Sequence, residues 1–172
     1  MKFGDTPVNE AAGAILAHSV RTGGISFKKG RVLTDADVEG LREAGIATVI
    51  AARLEAEDVG EDAAATRIAK AVTGDNLEIS AAFTGRVNLY AETAGLVDYD
   101  PLQLDQINMV DESATVALLS PFAPVVPRQM VGTVKIIPFA APEAVVASCE
   151  MLAKGGVAQE GLVQVAPYRA RT

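Results

Sequence analysis

The sequence predicts a mixed α/β (α+β) fold. It divides into two small subdomains, about residues 1–75 and 76–172, each a set of short mixed sheets with covering helices. Three observations carry this. Segments of strand length alternate with segments of helical period along the chain. Thr73-Gly74-Asp75-Asn76 is a concentrated break, with strand-rich sequence after it. With 49% hydrophobic and 22% charged residues, the 172-residue chain has enough apolar surface for a substantial core.

The clearest unit runs from Phe27 to Arg53. Lys29-Gly30 marks a turn. Thr34 is set up as an N-cap with Asp37 at the third helical position, the spacing of a capping box. Leu33 and Val38 have the spacing of a hydrophobic staple. The helix is expected over about Asp35 to Ala44, with Gly45 supplying the left-handed residue that ends it and Ile46 returning onto Leu41 in a Schellman turn. Gly40 inside the helix costs about 1 kcal/mol against alanine, which close approach to a neighbour would offset. Ile46 to Ala52 reads as a buried strand.

Upstream, Lys2-Phe3 starts an edge strand. Thr6-Pro7 opens a short helix ending at Gly13. Ala14 to Thr22 reads as a strand with Leu16, His18 and Val20 on one face, and Gly23-Gly24 turns it into Ile25 to Lys28. Downstream, Asp58 and Glu61 have capping-box spacing for a helix from about Val59 to Val72. Strands are expected at Leu77 to Phe83, Arg86 to Ala91 and Leu96 to Tyr99. Asp100-Pro101-Leu102-Gln103 starts a helix that ends near Met109, followed by strands at Ala114 to Leu119 and Val131 to Phe139. A helix from Pro142 to Lys154, ended by Gly155-Gly156, precedes a last strand at Leu162 to Tyr168.

Composition narrows the function. A net charge of -7 argues against general nucleic-acid or anionic-membrane binding but leaves room for one local cationic groove. No tryptophan and 5% aromatics argue against a base-stacking platform. One cysteine rules out an intrachain disulfide or a Cys-based zinc site within one chain. Ala11 to Val20 lacks the basic leader of a signal peptide, and no apolar run reaches membrane-spanning length. A reducing cytoplasm fits these readings and is the expected location.

Several residue types bear on chemistry. His18, the single histidine, is either a hydrogen-bonded structural residue or a ligand or acid/base group. Cys149 shares a helix face with Val145 and Leu152, as a core residue does. The acidic set Glu55, Glu57, Asp58, Glu61 and Asp62 reads as a solvated loop, with a divalent-ion site as the alternative. Arg21, Lys28, Lys29 and Arg31 flank a turn, either as a soluble hairpin or as a phosphate contact. Arg86 and Asn88 alternate on one strand and so share a face. Lys135 is a cation inside an apolar strand, where it either meets a carboxylate or faces a cleft that receives an anion. Gly-x-x-x-x-Gly-Lys, Gly-x-Gly-x-x-Gly, Gly-x-Ser-x-Gly and His-Glu-x-x-His motifs are absent, and no residues are singled out as catalytic.

Two sets of stretches resemble a known family. Glu10-Ala-Ala-Gly-Ala-Ile-Leu-Ala-His-Ser-Val20, then Phe27-Lys-Lys-Gly-Arg-Val-Leu33 and the helix ending at Gly45-Ile46, resemble the N-terminal region of molybdopterin molybdenumtransferases. Phe83-Thr-Gly-Arg-Val-Asn-Leu-Tyr-Ala91 and Gln129-Met-Val-Gly-Thr-Val-Lys-Ile-Ile-Pro-Phe139 are similar to one branch, bacterial molybdopterin-binding proteins that often continue into a molybdenum-cofactor cytidylyltransferase. The family's Thr-Gly-Asp-Glu and Ser-Gly-Gly loops are not in this chain, nor is its Asp-Asn-Ser-x-Met-Asp-Gly-Tyr motif.

The resemblance implies a molybdopterin (molybdenum cofactor) binding domain, the N-terminal part of a larger protein, binding rather than catalysing. Residues 1–75 would be its molybdenumtransferase-like subdomain. Its partners would be a small anionic pterin and a downstream molybdopterin-binding α/β or cytidylyltransferase domain, with a homo-oligomer as a further arrangement. The alternative is a structural or oligomerisation module with no ligand site. For the binding reading, the site expected is a cationic cleft that Arg86, Asn88 and Lys135 share, with Lys28 or Lys29 at its rim.

Overall fold

The computed structural model describes residues 1–154 and 161–169. The chain forms two compact units, Met1–Asp58 and Val59–Thr172. It is a mixed α/β fold, as expected, but its main sheets are antiparallel rather than mixed.

In the first unit the strands are β1 (Lys2–Pro7), β2 (Ile15–Leu16), β3 (Val20–Thr22), β4 (Ile25–Phe27) and β5 (Thr48–Arg53), with one α-helix, α1 (Asp35–Glu43). β5 lies between β1 and β2. Its side chains alternate. Val49 and Ala51 enter a core with Val8, Leu16, Leu33 and Leu41, Thr48 and Ile50 are exposed on the other face with Ala52 buried beside them, and Arg53 is exposed at the strand end. The expected fully buried strand is therefore only partly buried, because Thr48, Ile50 and Arg53 reach solvent.

α1 forms as its caps dictate. Asp37 donates its backbone N–H to the Thr34 hydroxyl at 3.2 Å, and its carboxylate accepts the Thr34 backbone N–H at 3.0 Å. At the other end Gly45 has φ 75°. Gly45 N–H reaches the Arg42 carbonyl and Ile46 N–H the Leu41 carbonyl, the two bonds of a Schellman turn. Gly40 needs no close approach, since a Cβ there would meet only Ile25 Cγ2 at 3.8 Å. The tight contact is at Gly23, where a Cβ would lie 2.9 Å from Ala44 Cβ.

Two local readings of this unit are corrected. Thr6 and Pro7 stay in β1, and only a single 3-10 turn, Val8–Glu10, follows, with no side-chain cap. Arg53 donates to the carbonyls of Glu10 and Ala12 and closes that turn. The expected strand Ala14 to Thr22 is broken. After Leu16 the chain bends away, and His18 sits exposed in the bend between β2 and β3. The hairpin of β3 and β4 across Gly23-Gly24 forms as expected.

β6 (Asp58–Gly60) crosses the sequence junction between the units. The second unit continues with α2 (Glu61–Val72), β7 (Leu77–Ile79), β8 (Arg86–Ala91), β9 (Gly95–Asp98), α3 (Pro101–Asn108), β10 (Ala114–Leu118), β11 (Pro124–Val125), β12 (Met130–Ile136), β13 (Ala140–Pro142), α4 (Glu143–Ala153) and β14 (Gln164–Pro167). One sheet has the order β10-β12-β8-β7 and another β11-β9-β14.

The boundary thus falls at Asp58/Val59 and not at Asp75/Asn76. The reason is α2. It buries Ala64, Ala65, Ile68, Ala69, Ala71 and Val72 in the second unit's core, against β8, β12 and α4. Four of those six are alanines, so the helix can lie close to the sheet. Arg67 on α2 clamps it to α4, donating to both Glu143 oxygens at 2.6 and 2.8 Å and both Glu150 oxygens at 3.0 and 2.8 Å.

The expected cap of α2 is also corrected. Gly60 is its N-cap, without a side-chain bond. Asp58 instead accepts the Glu55 backbone N–H at 2.7 Å and pairs with the Met1 ammonium at 2.7 Å. Asp100 does cap α3, accepting the Leu102 N–H at 2.9 Å. Gln103 does not complete a box; its amide donates to the Leu152 and Ala153 carbonyls at the end of α4. The Gly155-Gly156 stop expected for that helix lies outside the described residues. Among the described residues no helix is long and apolar enough to cross a membrane.

The cap of α1 makes the first unit acid-sensitive. Arg31 holds the Asp37 carboxylate in a two-bond pair at 2.9 and 2.8 Å, and the Thr34 donors add to it. Asp37 is 6% exposed. Arg31 first, then Thr34, lowers its pKa from 3.8 to about 2 against the opposing effect of burial. A depressed carboxylate pKa stabilises the fold above the unfolded value, so this contribution is intact above about pH 4 and is lost as pH falls towards 2. Asp37→Ala is expected to cost about 2 kcal/mol at pH 7 and to flatten the acid limb between pH 4 and 2. Urea unfolding followed by circular dichroism across that range checks both.

Candidate functional site

β8 has the period-2 alternation that defines the site. Val87, Leu89 and Ala91 are fully buried in the core that includes α2. Arg86, Asn88 and Tyr90 therefore occupy the opposite, more open face. The neighbouring strand β12 runs antiparallel with Lys135 opposite Arg86 and Thr133 opposite Asn88. Two cations thus sit side by side across a strand pair, an arrangement that destabilises a sheet unless something of opposite charge joins it.

A tight turn precedes Arg86. Phe83 and Arg86 exchange both backbone bonds, at 3.0 and 3.1 Å. Thr84 and Gly85 between them have φ of 48° and 69°. Two successive left-handed residues make a two-residue turn of type I′. Gly85 suits it, but Thr84 is β-branched and strained there.

The turn is pinned from three sides. Gly85 N–H donates to Asp62 Oδ1 at 2.7 Å, and its carbonyl accepts Ile136 N–H at 2.8 Å. A Cβ on Gly85 would lie 2.8 Å from both Glu61 Oε2 and the Ile136 carbonyl oxygen. The Thr84 carbonyl accepts the Lys135 ammonium at 2.6 Å.

Ser80, Phe83, Thr84, Arg86, Asn88 and Lys135 line one cavity of about 320 Å³ in the second unit. Among the described residues neither Arg86 nor Lys135 makes an ion pair. Lys135 spends one of its three N–H donors on Thr84. Asn88 Nδ2 donates to the Tyr90 hydroxyl at 3.3 Å, while the buried Asn88 Oδ1 has no donor. Ser80 is tied to Asn88 twice, donating its N–H to the Asn88 carbonyl at 2.9 Å and accepting the Asn88 N–H on its hydroxyl at 3.0 Å. Phe83 is 77% exposed at the cavity edge.

A second hollow, of about 240 Å³ beside Arg67 and Lys70, has a different character. Its arginine is already saturated by Glu143 and Glu150, which hold its pKa above the ordinary value.

The structure therefore brings Arg86, Asn88 and Lys135 to one cavity. Lys28 and Lys29 lie in the first unit, exposed after β4, with Lys29 N–H donating to the Ser19 hydroxyl at 3.0 Å. Arg31 is occupied by Asp37 and lies 4.9 Å from the centroid of the Phe27 ring, so it is not available to a phosphate. His18 is not on a strand face. Cys149 is fully buried on α4, and burial pushes its thiol pKa up, away from a nucleophile's range. Of the acidic set, Glu55 and Asp58 hold the Met1 ammonium and Asp62 pins Gly85. Among the described residues no three His, Cys, Asp or Glu side chains are grouped as a metal site.

Ser80 and Thr84 are cavity residues that the sequence reading missed. For Thr84 the available signal was the Thr-Gly pair between Phe83 and Arg86, since it marks a two-residue turn. Ser80 had none, because its role depends on where β7 ends.

A family model described as a domain of unknown function (DUF8806) matches residues 5–53, inside the first unit. No curated protein and no solved structure matches the chain.

The turn gives two opposite stability predictions. Thr84→Asn is expected to stabilise the second unit by about 1 kcal/mol, because asparagine tolerates the left-handed region. Gly85→Ala is expected to cost about 2 kcal/mol, through left-handed strain and the contacts a Cβ would make. The three tyrosines all lie in the second unit, so urea unfolding followed by tyrosine fluorescence reads both effects there.

Proposed function

We propose that the second unit is a binding domain for a small phosphate-bearing ligand. One observation supports this reading above the others: Arg86 and Lys135 face each other across β8 and β12 at one cavity, with no carboxylate partner among the described residues. A chain of net charge -7 repels anions at long range, so holding one requires such a local reversal of sign. The guanidinium offers a planar fork and the ammonium a compact charge, both of which side chains use to hold phosphate.

The sequence resemblance directs the choice of ligand to molybdopterin, whose phosphate would meet these two cations, and to a role in molybdenum-cofactor biosynthesis. On this reading the chain works in the cytoplasm. It presents the ligand to a downstream molybdopterin-binding α/β or cytidylyltransferase domain, and the chemistry belongs to that partner.

A second reading, a structural or oligomerisation module, draws on a separate observation. Phe3, Val32 and Ile50 are 60%, 57% and 39% exposed in the first unit. Phe3 pairs with Ala52, Ala52 with Ile15 and Ile15 with Val32, a cross-strand apolar row whose outer members Phe3 and Val32 are exposed while Ala52 between them is buried. Such a row suits contact between copies.

Calorimetric titration with a phosphate-bearing pterin separates the two. Binding should be saturable and should weaken roughly ten- to hundredfold in Arg86→Ala, the loss of one charge-assisted hydrogen bond. Circular dichroism should show that variant folded, since the substitution relieves repulsion with Lys135. If the unaltered protein shows no saturation at millimolar ligand, or Arg86→Ala binds equally well, the cavity is not the site. A tight dimer in size-exclusion with light scattering would then support the module.

A further inference from the structure

We infer that the cavity selects oxyanions that carry their own hydrogen-bond donor, hydrogen phosphate or a phosphate ester with a neighbouring O–H or N–H, over fully deprotonated oxyanions such as sulfate. The inference rests on the anion-binding reading above and specifies its ligand class.

The ground is the mixture of groups at this cavity. Charge alone would be served by donors only, yet three acceptors stand among the cations. Asn88 Oδ1 is buried with no donor. The Thr84 carbonyl takes one bond from Lys135 and keeps a second lone pair. The Ser80 hydroxyl accepts Asn88 N–H and donates to the Ala81 carbonyl at 3.0 Å, and in that orientation what it offers a ligand is a lone pair.

An anion with no proton would set its lone pairs against these three. An O–H or N–H donor on the ligand can serve them instead. Asn88 is the group with most to gain, because a buried acceptor without a donor is costly; its Oδ1 reaches a ligand when the amide turns about its soft torsion, which exchanges the 3.3 Å bond to the Tyr90 hydroxyl for one from the ligand. Near neutral pH inorganic phosphate keeps at least one O–H, whereas sulfate has none. A site that hydrogen-bonds a ligand's donor discriminates strongly against an analogue lacking it.

The test is an NMR titration of the full chain with inorganic phosphate and with sulfate, at matched ionic strength and pH 7. It follows the backbone amide signals of Gly85, Arg86 and Lys135. Phosphate is expected to bind about tenfold more tightly than sulfate. In Asn88→Ser and Asn88→Ala the preference should shrink to about twofold, with phosphate affinity falling more than sulfate affinity.

Equal binding of the two anions to the unaltered protein would overturn the inference while leaving the cationic site intact. A preference unchanged in both variants would overturn the assignment to Asn88. Absence of saturable shifts with either anion, with Arg86→Ala giving the same spectra, would remove the anion site and this inference together. The comparison on the unaltered protein stands even if neither variant folds.

Discussion

The second unit depends on the burial of one face of its four-stranded sheet beneath α2. The helix presents alanines, which let it approach closely, and Ile68 and Val72, which fill the space left. Val87 and Leu89 on β8, with Val134 and Ile136 on β12, are fully buried as a result. Strand periodicity then leaves no choice for the residues between them. Arg86, Asn88, Thr133 and Lys135 must stand on the other face, and the antiparallel register sets Arg86 against Lys135. A one-residue slip of β12 would bury Lys135 and expose Val134 and Ile136, so the hydrophobic pattern that holds the sheet also fixes the geometry of the cavity.

The same helix reaches the site by a second route. Its first turn carries Glu61 and Asp62, and both close on Gly85. The Asp62 bond gives the Gly85 N–H a partner at the start of Arg86's strand. The turn that introduces the strand is thus fastened to the element that buries the strand. Thr84, between Phe83 and this anchored glycine, is held in a conformation it would not choose alone.

Local signals in the sequence were legible and long-range ones were not. The Thr34–Asp37 box, the Gly45 stop, Asp100 as a cap and the limits of β8 all rest on residues within a few positions of one another, and the structure has them. The shared face of Arg86 and Asn88 also follows from alternation alone. Lys135 was legible as an anomaly, a charge in an apolar strand, but its position opposite Arg86 depends on pairing between segments distant in sequence. The misplaced boundary has the same origin. Thr73 to Asn76 is a break in secondary structure, yet which unit owns α2 is decided by what its apolar face meets. Asp58 has the right spacing for a cap, and loses that role to the Met1 ammonium. Charge pairs of this kind leave no periodic trace in sequence.

The facing cations have a consequence for the lifetime of the protein. The β-carbons of directly opposed residues lie about 5 Å apart, inside the screening length of about 8 Å at physiological ionic strength, so two like charges held near that spacing are screened only in part. A resting copy carries, on the proposed reading, whatever strain that repulsion imposes. On the proposed reading, a bound phosphate removes the strain and adds its own binding energy to the folded state. Empty copies then open more often than filled ones and meet cellular proteases more often. The steady amount of this protein would follow the supply of its ligand, with no regulator other than the two charges themselves.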